Sequence, residues 1–174
     1  GLKNVEKYSF TMKTLADAIS LRNRLIDMLE QAENEKNPKI KERLLTFVIV
    51  GGGFAGVETA GEINDFLHEA VSYYHNIKKE DIHVILIEAT STILQGFNKE
   101  LTEYAHNKLE KNGIKIVLEN AVTSFDGKNI ILNKLSKPSV GIDSKNIINS
   151  HTLVWTAGVT PVEIIQNSIF KIKK

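Results

Sequence analysis

The sequence has no cysteine among its 174 residues. This absence excludes a CxxC redox pair, a cysteine-ligated zinc site and a disulfide framework, and it agrees with a reducing compartment such as the cytoplasm. Proline is scarce as well, with 3 residues. No apolar run approaches the roughly 18 residues of a membrane-spanning helix, and no signal peptide opens the chain. We therefore expect a cytoplasmic location and no membrane contact from this chain.

The chain also has no large excess of positive or of negative charge, because its net charge is +1. A balance so close to neutral gives no indication of a nucleic-acid partner or of an anionic membrane surface. Apolar residues make up 42% and charged residues 25% of the chain, which is typical of globular domains. The chain begins at Gly1 instead of methionine, as expected of a piece of a longer protein, and tag removal or processing would give the same start.

Residues 1–44 are interpreted as a helical appendage to the main domain. An apolar stripe predicts a helix from about Thr14 to Glu33, and Thr14 with Asp17 resembles a capping box at its start. The polar stretch 34–42 breaks this pattern and predicts a loop or a short turn. The domain itself is expected over 45–168, with a tail over 169–174.

From Leu45 the pattern predicts alternating buried strands and helices. The strands are expected over 45–50, 83–87 and 114–118, and the helices from the glycine loop to about Ile77 and over 99–112. Short strands over 121–125 and 129–132, joined by a two-residue turn at Asp126-Gly127, and a strand over 152–155 then follow. This order predicts a Rossmann-like, three-layer α/β domain, with a parallel sheet and a β-meander in place of the next helical crossover.

Gly51, Gly53 and Gly56 match the GxGxxG dinucleotide fingerprint, between a buried strand and a helix. Gly51 permits the tight turn, Gly53 lets the backbone approach a pyrophosphate, and Gly56 lets the helix pack closely on the strand. The pyrophosphate is expected at the amino end of the helix, where free N–H groups favour an anion. No Gly-Lys-[Ser/Thr] follows, so the loop is not an ATP- or GTP-hydrolysing P-loop.

Glu88 ends the second strand, where an acid can accept both hydroxyls of the adenosine ribose. A 2′-phosphate would meet this carboxylate, and no arginine follows to bind it, so the position favours NAD over NADP. Glu88 lies further from Gly51 than the roughly 20 residues usual in such folds, and the long intervening helix accounts for the excess. An ordinary surface acid is the alternative interpretation. His68 and His75 are seven residues apart, too far for one metal ion, and we expect no metal site.

Three segments resemble the type II NADH dehydrogenases and related flavoproteins of the pyridine nucleotide-disulfide oxidoreductase family. They are 46–62, 84–89 and Trp155-Thr-Ala-Gly-Val-Thr-Pro161, and the segment preceding the domain, 14–24, is similar too. The resemblance implies NADH binding, an FAD domain in the same parent chain, and hydride transfer to FAD and onward to quinone or another acceptor. It also places Glu58 near the nicotinamide. We expect Glu58 in the first helical turn, where a carboxylate also has a purely structural interpretation.

Taken together, these observations predict one set of dinucleotide-contacting residues: Gly51, Gly52, Gly53, Phe54, Ala55, Gly56, Glu58, Glu88, Ala89, Val122, Ala157 and Gly158. Only one glycine fingerprint is present, so FAD is expected only in a longer parent protein, and this chain alone is expected to be inactive. Within the flavoproteins, sulfide, ferredoxin and nitrite reductases are alternatives to the NADH dehydrogenase. A non-catalytic NAD sensor and another Rossmann enzyme are the remaining alternatives.

Overall fold

The computed structural model describes residues 4–134 and 146–158. The predicted tail 169–174 and the predicted domain end at residue 168 lie outside the described residues. The helices are α1 (Val5–Tyr8), α2 (Leu15–Asn34), α3 (Pro38–Leu44), α4 (Phe54–Ala70) and α5 (Lys99–Lys111). The strands are β1 (Thr46–Val50), β2 (His83–Ile87), β3 (Lys115–Val117), β4 (Asn120–Phe125), β5 (Asn129–Lys134), β6 (Ile147–Asn149) and β7 (Thr152–Trp155).

The predicted α/β fold is confirmed. One sheet has four parallel strands in the order β3-β2-β1-β7, and a second has three antiparallel strands in the order β4-β5-β6. All five residues of β1 are buried, because helices cover one face of the parallel sheet and the smaller sheet covers the other. A strand enclosed on both faces needs an apolar residue at nearly every position, which explains the continuous apolar run from Leu45.

Helix α2 begins at the predicted capping box. The Asp17 N–H donates to Thr14 Oγ1 over 3.2 Å, and the Thr14 N–H donates to the Asp17 carboxylate over 3.1 Å. The apolar stripe of this helix, Leu21, Leu25, Met28, Leu29 and Ala32, is buried in the same core as the inner face of β1. The appendage over 1–44 therefore supplies part of the core, and the boundary after residue 44 stays a prediction.

Two helical predictions were wrong in detail. Residues 38–44 form α3 instead of a loop, because the Asn37 side chain accepts the Lys39 N–H over 3.0 Å and Pro38 occupies the first helical position. The helix expected to reach about Ile77 ends at Ala70 and continues as a 3₁₀ turn over Val71–Tyr73. The apolar spacing runs across this change because Val71 is buried in the 3₁₀ turn as well.

The β-meander is confirmed, but its first turn has three residues between the strands instead of two. The Asp126 carboxylate accepts the N–H groups of Lys128 and Asn129 over 2.8 and 2.6 Å, which stabilises the longer turn. The third strand, β6, was not predicted from the sequence. None of the helices in residues 4–134 and 146–158 is long and apolar enough to cross a bilayer.

Candidate functional site

The glycine turn connects β1 to α4 at the carboxyl edge of the parallel sheet. The Gly51 N–H donates to the Ile87 carbonyl over 2.9 Å, and Thr156 donates its N–H and its hydroxyl to the Val50 carbonyl over 2.9 and 2.8 Å. Gly51 has a φ of +112°, a conformation that a side chain rarely adopts. The turn is therefore held between β2 and β7, in the place where open α/β sheets bind ligands.

Gly56 brings the first turn of α4 against this glycine turn. A Cβ atom added at Gly56 would lie 1.7 Å from the Gly51 carbonyl oxygen and 2.8 Å from Thr156 Oγ1. No side chain fits in such a space without moving backbone. The close packing predicted for Gly56 is confirmed, and it sets the distance between the helix start and the sheet.

We expect Gly56→Ala to lower the free energy of unfolding by about 3 kcal/mol or more, because the new methyl group must displace backbone atoms. Gly61→Ala is the matched control on the same helix, since no atom lies within 4 Å of its added Cβ. It should stabilise α4 by up to about 1 kcal/mol. Chemical denaturation measures both, and equal stabilities of the two variants would contradict the packing argument.

The amino end of α4 is open where a ligand would approach. A Cβ at Gly53 would meet nothing within 4 Å, and Gly53 is exposed. The first helical hydrogen bond runs from the Val57 N–H to the Gly53 carbonyl over 3.0 Å. The amides of Phe54, Ala55 and Gly56 precede this bond, and such amides have no partner within their helix. An anion at this end would also meet the positive end of the helix dipole.

Glu88 faces the glycine turn from the end of β2. Its carboxylate accepts the Gly52 N–H over 2.5 Å and the Thr90 N–H over 2.8 Å, and the side chain is half-buried. Ala89 follows it and is exposed. A carboxylate has about four acceptor positions, so two remain for a ligand's hydroxyls. Glu88 therefore positions the glycine loop in addition to whatever it binds.

A cleft of about 330 Å³ lies between the glycine turn and the loop that follows β2. It is lined by Gly52, Gly53, Phe54, Glu88, Thr92, Leu94, Gln95 and Phe97. Sequence reasoning missed the last four because the loop has no periodicity that assigns a face. The one available signal for this part of the cleft was Phe97, an aromatic residue between Gly96 and Asn98, which caps α5.

The other predicted residues lie at three further positions. Ala157 follows β7 beside the glycine turn, with its nitrogen 2.9 Å from a Cβ added at Gly51, and the next residue, Gly158, is exposed. Glu58 is exposed in the second turn of α4, not the first, because the helix begins at Phe54. Val122 is 3% exposed in the core between the two sheets, so the structure does not bring its side chain to the open face of the turn.

A larger cavity of about 560 Å³ lies at the opposite edge of the parallel sheet. Its lining includes Lys39, Arg43, His83 and Lys115, and the last two begin β2 and β3. Burial and the nearby cations Arg24, Lys128 and Arg43 lower the pKa of the neighbouring His151. The glycine fingerprint and the open start of α4 both lie at the carboxyl edge, so that edge is the candidate site. Across residues 4–134 and 146–158, no three His, Asp or Glu side chains are grouped to hold a metal ion.

Residues 2–173 match the family model of the pyridine nucleotide-disulphide oxidoreductases. The chain is 32% identical over 174 residues to the external alternative NADH-ubiquinone oxidoreductase of Yarrowia lipolytica mitochondria, covering 99% of this chain and 29% of that relative. It is 35% identical over 161 residues to a type II NADH:quinone oxidoreductase of Mycobacterium tuberculosis, covering 92% and 34%. The chain thus spans about a third of the length of these relatives.

The fold is similar to that of solved oxidoreductases. NDH2 from Plasmodium falciparum in complex with NADH superposes with a TM-score of 0.84 at 23% identity, covering 95% of this chain and 33% of that one. A ferredoxin reductase from Rhodopseudomonas palustris gives a TM-score of 0.62 at 18% identity, covering 95% and 33%. At these identities the structures show a shared fold.

Proposed function

We propose, from the premise that this chain belongs to the pyridine nucleotide-disulphide oxidoreductase family, that it is the NADH-binding part of an NADH:quinone oxidoreductase. The observation that carries the proposal is the open amino end of α4 beside Gly53, with Glu88 held against the same turn. The relatives named above are NADH:quinone and NADH-ubiquinone oxidoreductases. NADH titrated calorimetrically into the purified chain should give one binding site, and no detectable binding would remove the proposal.

In this proposal the chain's residues bind and orient the dinucleotide. The amides of Phe54, Ala55 and Gly56 receive the pyrophosphate, Glu88 receives the adenosine ribose, and the backbone at Ala157 and Gly158 supports the nicotinamide half. Glu58 is the positioning carboxylate on the nicotinamide side. A further part of the parent chain would hold FAD, which would supply the acceptor for the hydride. The protein's part in the reaction is then geometry and electrostatics.

We expect NADH to bind at least about tenfold more tightly than NADPH, because a hydrogen bond to a charged group is worth roughly 1.5–3 kcal/mol. Glu88→Gln should reduce this preference, since the amide is neutral and no longer repels a 2′-phosphate. It is a better test than Glu88→Ala, because the Gln carbonyl can still accept the Gly52 N–H that Glu88 now accepts. Calorimetric titration of both dinucleotides measures the ratio, and an unchanged ratio in Glu88→Gln would remove Glu88 from cofactor selection.

The acceptor and the location belong to the same proposal. Quinone is the proposed electron acceptor because it is named for the relatives in yeast mitochondria and in the mycobacterium.

We propose that the parent protein works in the cytoplasm or on the cytoplasmic face of a membrane, an assignment that rests on the absence of cysteine. Cell fractionation with an antibody against this chain tests the location, and recovery inside mitochondria would reject it.

A further inference from the structure

The loop after β2 brings a second aromatic ring to the cleft beside the glycine turn. The Phe97 ring is 4.7 Å from the Phe54 ring between centroids, and their planes are 79° apart. The two residues remain 48% and 52% exposed although they touch each other. Rings of this size contribute most to stability when they are buried, so an exposed pair at a cleft is a surface suited to another flat, apolar group.

The fold holds this loop firmly against the glycine turn. The Gly52 N–H donates to Glu88, and the Gly52 carbonyl accepts the Leu94 N–H over 2.7 Å. The Phe97 N–H then donates to the Leu94 carbonyl over 3.2 Å, and Asn98 caps α5 directly afterwards. The position of Phe97 is therefore tied to the same glycine that borders the cleft.

Phe97 is not needed to fill the core beneath the loop. Ile93 and Leu94 are 0% and 4% exposed and belong to the main core, whereas Phe97 is half-exposed beside them. Truncating its side chain should cost little stability, since large losses come from buried side chains. An effect of Phe97 on ligand binding can therefore be measured in a folded protein.

The position of the cleft decides which half of the ligand it faces. Glu88, at the end of β2, lines it, whereas Ala157 follows β7 on the other side of β1. In dinucleotide-binding sheets the acid after the second strand binds the adenosine ribose, so the cleft lies on the adenosine side of the turn. Its aromatic wall matches the planar face of a purine, because bases stack well on aromatic side chains.

We propose that Phe97 is a further dinucleotide-binding residue, whose ring packs against the adenosine half of the ligand, and that the Phe54–Phe97 contact opens to admit it. This inference rests on the proposed NADH-binding function. Rings 4.7 Å apart leave no room for a base between them, since two stacked contacts of about 3.5 Å each are needed. A base that enters between the two rings therefore requires one ring to turn away from the other.

The test compares Phe97→Ala with Tyr104→Ala, which removes a 68% exposed aromatic ring from α5. The probes are NADH, ADP and reduced nicotinamide mononucleotide, titrated calorimetrically, and circular dichroism confirms that each variant is folded. Phe97→Ala should weaken NADH and ADP about fivefold to tenfold and leave the mononucleotide unchanged. Tyr104→Ala should behave as wild type, and Phe97→Tyr should retain most of the affinity.

The outcomes separate this inference from the function on which it rests. A wild-type chain that fails to bind NADH overturns the proposed function and the Phe97 assignment together. Wild-type affinity for NADH and ADP in Phe97→Ala overturns the Phe97 assignment alone. An equal loss for ADP and for the mononucleotide overturns the placement on the adenosine side, because that pattern means a general change in the glycine turn.

Discussion

The Gly53→Val variant should bind NADH at least about 100-fold more weakly, a loss of about 2.7 kcal/mol, while remaining folded. The position has a φ of −75° and a ψ of −175°, an extended conformation that valine adopts readily. Nothing lies within 4 Å of an added Cβ, so the base of the new side chain has room. In the proposed function, the side chain occupies the space through which a pyrophosphate would reach the amides of α4. Calorimetric titration with NADH measures the loss.

Thermal unfolding separates this effect from destabilisation. The melting temperature of Gly53→Val should lie near that of wild type, in contrast to Gly56→Ala, where the added atom would overlap the Gly51 carbonyl. Gly53→Ala is the graded control and should lose less affinity than the valine variant. Normal NADH binding by a folded Gly53→Val would mean that the glycine loop serves only as a structural turn.

The parts of the fold that follow from burial were predictable. Strand β2 was expected at the residues where it lies, His83–Ile87, because its last four residues are apolar, as a strand buried on both faces requires. The capping box of α2 was also predictable. Its two reciprocal hydrogen bonds require a hydroxyl side chain at the cap and an acceptor side chain three residues later, which are Thr14 and Asp17 here. In these elements the local chemistry and the tertiary packing require the same residues.

The elements that were missed depend on contacts between distant segments. Strand β6 pairs Ile148 with Ile130 of β5, and its three-residue length is too short for a periodic pattern. The Phe97 loop takes its position from the Leu94 N–H bonded to Gly52, a contact that no pattern in either segment indicates. In the same way, the hydrogen bond from the Gly52 N–H to the Glu88 carboxylate was not foreseen.

Among residues 4–134 and 146–158, one side of the candidate site is enclosed and the opposite side is open. Glu88 and Phe97 enclose the cleft on the side of β2, whereas Glu58 and Gly158 are exposed. A nicotinamide held on that exposed side needs an acceptor within contact distance for hydride transfer. The chain has a single glycine fingerprint, and the long helix of its first 44 residues packs into the same core as the parallel sheet.

We therefore expect the purified 174-residue chain to bind NADH without retaining FAD, and to leave NADH unoxidised by quinones or ferricyanide. A longer protein that joins it to a flavin domain should be yellow and should oxidise NADH with quinone analogues.

In that longer protein, Glu58→Gln should change the KM for NADH or kcat while the bound FAD stays stoichiometric, because Glu58 is exposed and supports no core contact. Glu62→Gln, one helical turn further along α4, is the matched control and should leave both constants unchanged. The absorbance of NADH and the flavin spectrum measure these results. Rapid NADH oxidation by the colourless chain would contradict the proposal, because its electrons would need a route that does not pass through a flavin.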